Sequence, residues 1–184
     1  MILGKLVFIH IPRCSGTSIE HSLLKGKMVP DGEKHWKASM LKEHLGDLWD
    51  GCFKFSIVRN PFDRLASLYI TPEAPFCSYN MNAGKTMDEF LSLYKPMPWE
   101  HGITCDDYLD EVIDMTIRYE DRKEGILRVN SVISPEFNLR IDDTVVKRSH
   151  PNKTKCYMSY FTNISINTVL ERFHWDFDRW YQND

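Results

Sequence analysis

No apolar run in the 184-residue chain approaches the roughly 18 residues needed to cross a bilayer, which argues against a membrane span. The opening stretch MILGKLVFIHIP has neither a long apolar core nor a small-residue cleavage site. It reads as a first core strand rather than an export signal. Basic charge is not in excess: 23 Lys and Arg face 26 Asp and Glu, a net charge of -3, so nothing points to nucleic acid or an anionic membrane as partner. The cysteines (Cys14, Cys52, Cys77, Cys105 and Cys156) are odd in number and form no C-x-x-C pair. That speaks against a disulfide framework or a zinc ribbon and suits a reducing compartment. No cluster of metal-ligating residues, internal repeat or low-complexity linker is visible. The N-x-S/T patterns at Asn152 and Asn163 read as chance matches in a chain without an export signal. The expectation is a soluble, cytoplasmic protein with no metal.

What is there suffices for a core. Apolar residues make up 42% of the chain and aromatics 12%, so the chain is not disordered, and its length predicts a single domain over residues 1–184. KLVFIHI reads as a buried strand, and Thr17 to Leu24 as a helix. EKHWKASMLKEHLGDLW places Trp36, Met40, Leu41, Leu45 and Leu48 near helical spacing. CFKFSIV is a second buried strand. In RNPFDRLASLY, Asn60 can cap a helix that begins at Pro61, with Phe62, Leu65, Ala66 and Tyr69 as its core stripe. Residues 71–86 read as a long loop, TMDEFLSLY as a short helix capped by Thr86, and KPMPWEHG as irregular. VIDMTIRY reads as a strand, EDRKEGILRVNSVI as a helix and DTVVK as a short strand. Ile166, Val169, Leu170, Phe173, Phe177 and Trp180 mark a final amphipathic helix capped at Asn163 or Ser165. This alternation predicts an α/β fold, a parallel sheet flanked by helices. Ligands of such sheets bind beyond the carboxyl ends of the strands, so PRCSGTS and RNPFDRLAS should share one rim.

PRCSGTS, between a strand and a helix, has the makings of an anion site. Turn N–H groups converge, the helix N-terminus carries partial positive charge, and Arg13 adds a full one. Gly16 permits close approach, and Thr17 and Ser18 offer hydroxyls. The nucleotide-triphosphatase loop is excluded, because Gly16 is followed by Thr17 rather than Lys and no Gly stands five residues earlier. A cysteine phosphatase is excluded too: the position six residues after Cys14 is Glu20, not Arg. The strongest basic run lies elsewhere, at Lys147, Arg148, His150, Lys153 and Lys155, and such runs are commonly solvated faces.

HIPRCSGTS resembles the H-I-P-K-T-G-G-T-S loop of sulfotransferases, in the branch that includes the carbohydrate sulfotransferases. FSIVRNPFDRLASLY resembles that family's V-R-N-P-x-D-R-x-x-S motif. EKHWKASMLKEHLG, IRYED and HPNKTKCYMSYF are similar to three further stretches in the same order. The resemblance implies a P-loop-like sulfotransferase fold and 3′-phosphoadenosine 5′-phosphosulfate (PAPS) as donor, leaving 3′-phosphoadenosine 5′-phosphate (PAP). It implies that the loop residues Arg13, Cys14, Ser15, Gly16, Thr17 and Ser18 hold the 5′-phosphosulfate, and that Arg59 and Ser67 hold the 3′-phosphate. Lys153 is a candidate to close over the cofactor. Arg13, Cys14 and Ser15 replace the family's Lys, Thr and Gly. Arg13 cannot hand over a proton as Lys can, but it still neutralises charge on the leaving phosphate. Ser15 is tolerated without strain only at a negative φ.

The implied reaction is in-line sulfuryl transfer to a hydroxyl or amine, with a carbohydrate among the candidate acceptors. His35, where related enzymes carry a His base, is the candidate base, with Glu33 as the carboxylate alternative. His10, inside the first strand, reads as structural, and Arg64 is expected to pair with Asp63 or Glu120. Trp36, Phe76, Tyr79 and Trp99 are candidates for lining the acceptor or adenine pocket. The alternatives are a nucleotide-dependent phosphotransferase on the same fold and a catalytically inactive PAPS-binding module.

Overall fold

The computed structural model describes residues 1–25, 27, 34–70, 85–95, 102–142 and 156–182. Four strands, β1 (Ile2–Leu3), β2 (Leu6–Ile9), β3 (Phe53–Val58) and β4 (Met115–Arg118), form one sheet in the order β1-β2-β3-β4. β2, β3 and β4 run parallel, with Phe8 opposite Phe55 and Ile57 opposite Ile117. The apolar runs read as buried strands are buried: all four β2 residues and five of the six in β3. β1 was not expected from the sequence. It folds back antiparallel on β2 through Gly4, whose φ of +60° suits the first position of a two-residue hairpin turn.

Helices cover the sheet: α1 (Gly16–Leu23), α2 (Ala38–Leu45), α3 (Pro61–Tyr69), α4 (Met87–Leu93), α5 (Cys105–Tyr108), α6 (Arg122–Phe137), α7 (Asn163–Arg172) and α8 (His174–Trp180). The principal core sets Leu6, Phe8, Phe55, Ile57 and Ile117 of the sheet against Ile19, Leu41, Ile126 and Val129 of the helices. Gly125 lets α6 close on β4, because a Cβ there would strike the Ile117 side chain. A second core joins Phe62, Leu65 and Leu68 of α3 to Phe90 and Leu91 of α4 and to Val169 and Phe173.

Two helix starts follow the expected chemistry. Asn60 Oδ1 accepts the Phe62 N–H at 3.0 Å with Pro61 in the first turn. Thr86 and Glu89 form a capping box at α4. Several boundaries differ. The second helix starts at Ala38 rather than Glu33, and Gly46 at φ +54° ends it, leaving Leu48 of its predicted stripe 70% exposed. The last helix is two, α7 and α8, broken at Phe173, and its cap is Thr162 rather than Asn163 or Ser165, with Ser165 as its capping-box partner. The short α5 had no counterpart in the sequence reading. The predicted strand DTVVK and the 71–86 loop, apart from Lys85 and Thr86, lie outside the described residues.

Cys14, Cys52, Cys105 and Cys156 are free thiols. No described helix is long and apolar enough to cross a membrane, and no metal-ligating cluster occurs among the described residues.

Candidate functional site

Because β2 and β3 are parallel and adjacent, the segments leaving their carboxyl ends meet. Arg59 Nη1 donates to the Arg13 carbonyl at 2.9 Å. Arg13 in turn reaches Ser67 on α3: Nε and Nη2 lie 3.2 and 3.0 Å from its Oγ, and Nη2 also donates to its carbonyl at 3.2 Å. Three residues that the motif resemblance assigned to two different phosphates thus share one patch. Arg59 is 5% exposed and held on two further sides. Its Nε donates to Asp63 Oδ2 at 2.7 Å, and its guanidinium lies 4.4 Å from the centre of the Tyr119 ring. Glu120 fixes the same corner by accepting the Asn60 N–H at 3.0 Å and the Tyr181 hydroxyl at 3.0 Å. The IRYED stretch thereby packs against the start of α3.

The loop from His10 to Ser15 makes a tight turn with two non-glycine residues in the left-handed region, Arg13 at φ +67° and Ser15 at +69°. The negative φ that Ser15 would prefer is not what the turn uses. The Ser15 carbonyl accepts the Ser18 and Ile19 N–H groups, but its side chain caps nothing, and the first turn of α1 holds no acidic residue. An uncapped helix start that follows a loop carrying Arg13 and held by Arg59 is electrostatically suited to an anion. Gly16 is required for a reason the sequence did not disclose: a Cβ there would strike the His10 ring. Thr17 is half-buried and Ser18 buried.

Cys14 faces inward. Its side chain is 1% exposed, and its N–H donates to the Ile11 carbonyl. It neighbours the buried thiol of Cys105. Burial alone would raise the Cys14 thiol, but the Cys105 thiol and the Arg64 and Arg59 charges outweigh it and hold it below its ordinary value. Burial and the neighbouring Cys14 thiol push Cys105 well above its own.

Arg64 pairs with neither Asp63 nor Glu120, which serve Arg59 and Asn60. It is 1% exposed and donates to two backbone carbonyls, Pro12 at 2.9 Å and Ile103 at 2.5 Å. It therefore ties the His10–Ser15 loop to the segment before α5. Asp176 of α8 anchors the start of α5 by accepting the Cys105 and Asp106 N–H groups at 2.9 and 2.8 Å.

His35 stands on the other side of the loop. Its Nδ1 lies 3.0 Å from the His10 carbonyl, and the two imidazole rings meet edge to face at 4.5 Å. Burial, with the His10 charge adding, lowers its pKa to about 3, so the ring is neutral at ordinary pH. A neutral ring that donates from Nδ1 carries its lone pair on Nε2. His10 is buried and bonds Glu20 Oε1 through Nδ1 at 2.6 Å. Trp36 packs against the principal core with its ring 5.4 Å from that of His44. Lys153, together with Glu33, Phe76, Tyr79, Trp99, Lys147, Arg148, His150 and Lys155, lies outside the described residues.

The sulfotransferase family model matches residues 4–110, more than half of the chain and both strand-end motifs. The chain belongs to the sulfotransferase family. It is an enzyme of sulfuryl transfer, and the mostly parallel, helix-flanked sheet is consistent with that family's P-loop-like fold. No curated protein and no solved structure matches this sulfotransferase. The residues that sequence reasoning missed are the supports of its site: Asp63, Tyr119 and Glu120 around Arg59, and Glu20 and Lys34 beside His10 and His35. Asp63 and Glu120 carried a signal, since each lies inside a quoted motif. Lys34 and Glu20 carried none that names a partner.

Proposed function

We propose that this sulfotransferase takes PAPS as donor and passes its sulfuryl group to a hydroxyl or amine, with a small-molecule or carbohydrate acceptor and with His35 as the base. The observation that carries this reading is the meeting of three stretches at one rim. The anion loop, the Arg59–Ser67 segment and the Tyr119–Glu120 corner touch there, and His35 stands beside the loop. The uncapped start of α1, with no acidic residue in its first turn and with Arg13 in the loop before it and Arg59 holding that loop, fits a ligand carrying several negative charges.

When bound, PAPS supplies a sulfuryl group on a phosphate leaving group. The chain's own residues then have separable tasks. Arg13 and the α1 N–H groups neutralise charge that builds on the 5′-phosphate, which is the larger part of catalysis when little covalent work falls to the protein. Arg59 and Ser67 hold the 3′-phosphate, with Asp63 and Tyr119 keeping the Arg59 side chain in place. Lys153 adds a cation from the family's later element. His35 takes the acceptor's proton at Nε2. Its low pKa makes it a weak base in the unliganded protein. Phosphate and sulfonate charges beside it favour the imidazolium and raise that value toward the useful range.

Two variants test the assignments separately. Arg59→Ala should weaken PAP binding by about tenfold to a hundredfold, as expected for losing a charge-assisted contact worth roughly 1.5–3 kcal/mol. Unchanged PAP affinity by calorimetry refutes the 3′-phosphate assignment. His35→Ala should leave PAP affinity near that of the parent and abolish turnover of any acceptor found by screening with PAPS. Full turnover puts the base elsewhere.

A further inference from the structure

Glu20 sits where a core residue belongs. Gly16, Ile19, Glu20 and Leu23 are all buried and fall at i, i+3, i+4 and i+7 on the inward face of α1. Glu20 is 2% exposed, and an apolar residue at that position would avoid the desolvation that a buried carboxylate costs. The carboxylate is divided between two partners. Oε1 takes the His10 Nδ1 at 2.6 Å, and Oε2 lies 3.5 Å from the ammonium of Lys34, itself 9% exposed. Lys34 is the residue before His35, and His10 supplies both the carbonyl that meets His35 Nδ1 and the ring that packs on its edge. One carboxylate thus grips both flanks of the imidazole. The His10 ring also lies against Gly16, so the same group ties His35 to the anion loop.

We propose that Glu20 is the positioning residue of the candidate base: through His10 and Lys34 it holds His35 beside the anion loop, with Nδ1 on the His10 carbonyl and Nε2 carrying the lone pair. The proposal rests on the reading of His35 as base for its catalytic meaning, but not for its test. A wrong Nδ1/Nε2 assignment would leave the acceptor-facing nitrogen protonated and useless as a base, so fixing the tautomer is a catalytic task in its own right.

The test is a long-range proton–nitrogen correlation spectrum of histidine-labelled protein, with His35 assigned from the spectrum of His35→Gln. In the parent, His35 should give the neutral Nδ1–H pattern from pH 5 to 8. In Glu20→Gln, which keeps size and shape, that pattern should be lost, with the ring averaging between tautomers. Should Glu20→Gln not melt cooperatively, Lys34→Met serves in its place, with the same loss expected. A folded variant that retains the parent's His35 pattern overturns the proposal. Undiminished turnover in His35→Ala would instead overturn the base assignment and leave the spectroscopic result standing.

Discussion

Replacing Ser15 by glycine should make this protein more stable, although it removes a side chain from a half-buried turn. Ser15 has φ +69°, in the left-handed region where a Cβ crowds the backbone. Holding an L-residue there costs about 1–2 kcal/mol. Glycine removes that cost but adds freedom to the unfolded chain worth about 0.5–1 kcal/mol. The Ser15 hydroxyl caps no N–H of α1, so little else is lost. The net expectation is a gain of roughly 0.5–1 kcal/mol, or about 1–4 °C in Tm for a chain of this length. Urea denaturation read by linear extrapolation measures it. Ser18→Gly is the control, because Ser18 lies inside α1 and there glycine should cost about 0.5 kcal/mol relative to serine. If Ser15→Gly destabilises as much as Ser18→Gly, the turn is not left-handed at residue 15 and the loop geometry is wrong. The family's loop carries glycine at this position, so PAP affinity should be kept or improved in the variant.

Gly16→Ala should act in the opposite sense. The new methyl would press on the His10 ring, which Glu20 holds at 2.6 Å, so overpacking should cost about 1–3 kcal/mol by the same denaturation assay; a neutral result would mean the ring is free to move. Stability should also fall with acid. His35 and His10 both have pKa values below 6.5 in the folded chain, chiefly through burial, so the unfolded chain takes up protons first. The His35 contribution is complete above about pH 6.5 and is lost as pH falls toward about 3, at up to about 1.4 kcal/mol per pH unit, and His10 adds to the loss in the same direction. Glu20 adds to the loss at the acid end. Burial alone would raise it, but the His10 bond and charge hold it below its ordinary 4.5, so its contribution is present above that value and lost beneath it. Melting curves between pH 7 and 5 should decline steeply, and His35→Gln should flatten the decline. A profile unchanged by that variant contradicts a buried neutral His35.

The strand-and-helix skeleton was readable because each signal is local. KLVFIHI and CFKFSIV are apolar on both faces, as strands covered by helices on both sides must be. Asn60-Pro61 and Thr86 announce their helices by hydrogen-bond and φ chemistry that needs no tertiary partner. The second helix failed at its start for a tertiary reason: Lys34 and His35 are held by Glu20 and the His10 carbonyl instead of joining a helix. The split between α7 and α8 escaped because the apolar stripe runs on across Phe173, whose buried ring serves both helices. At the site, the anion loop and the Arg59–Ser67 motif were legible as motifs, but their supports were not. That Arg64 clamps the Pro12 and Ile103 carbonyls, or that Asp176 caps α5 from α8, depends on contacts between residues far apart in the chain. Neither composition nor periodicity encodes them.

The central claim is recognition of a nucleotide that carries a 3′-phosphate, and a thermal-shift comparison of PAP, ADP and ATP tests it most directly. A ligand at 100 times its Kd adds about 2.7 kcal/mol, which for a chain of this size raises Tm by roughly 5–10 °C. A rise of that order with PAP and little with ADP or ATP is the predicted result. Equal shifts with ADP and ATP and none specific to PAP would contradict PAPS as the donor.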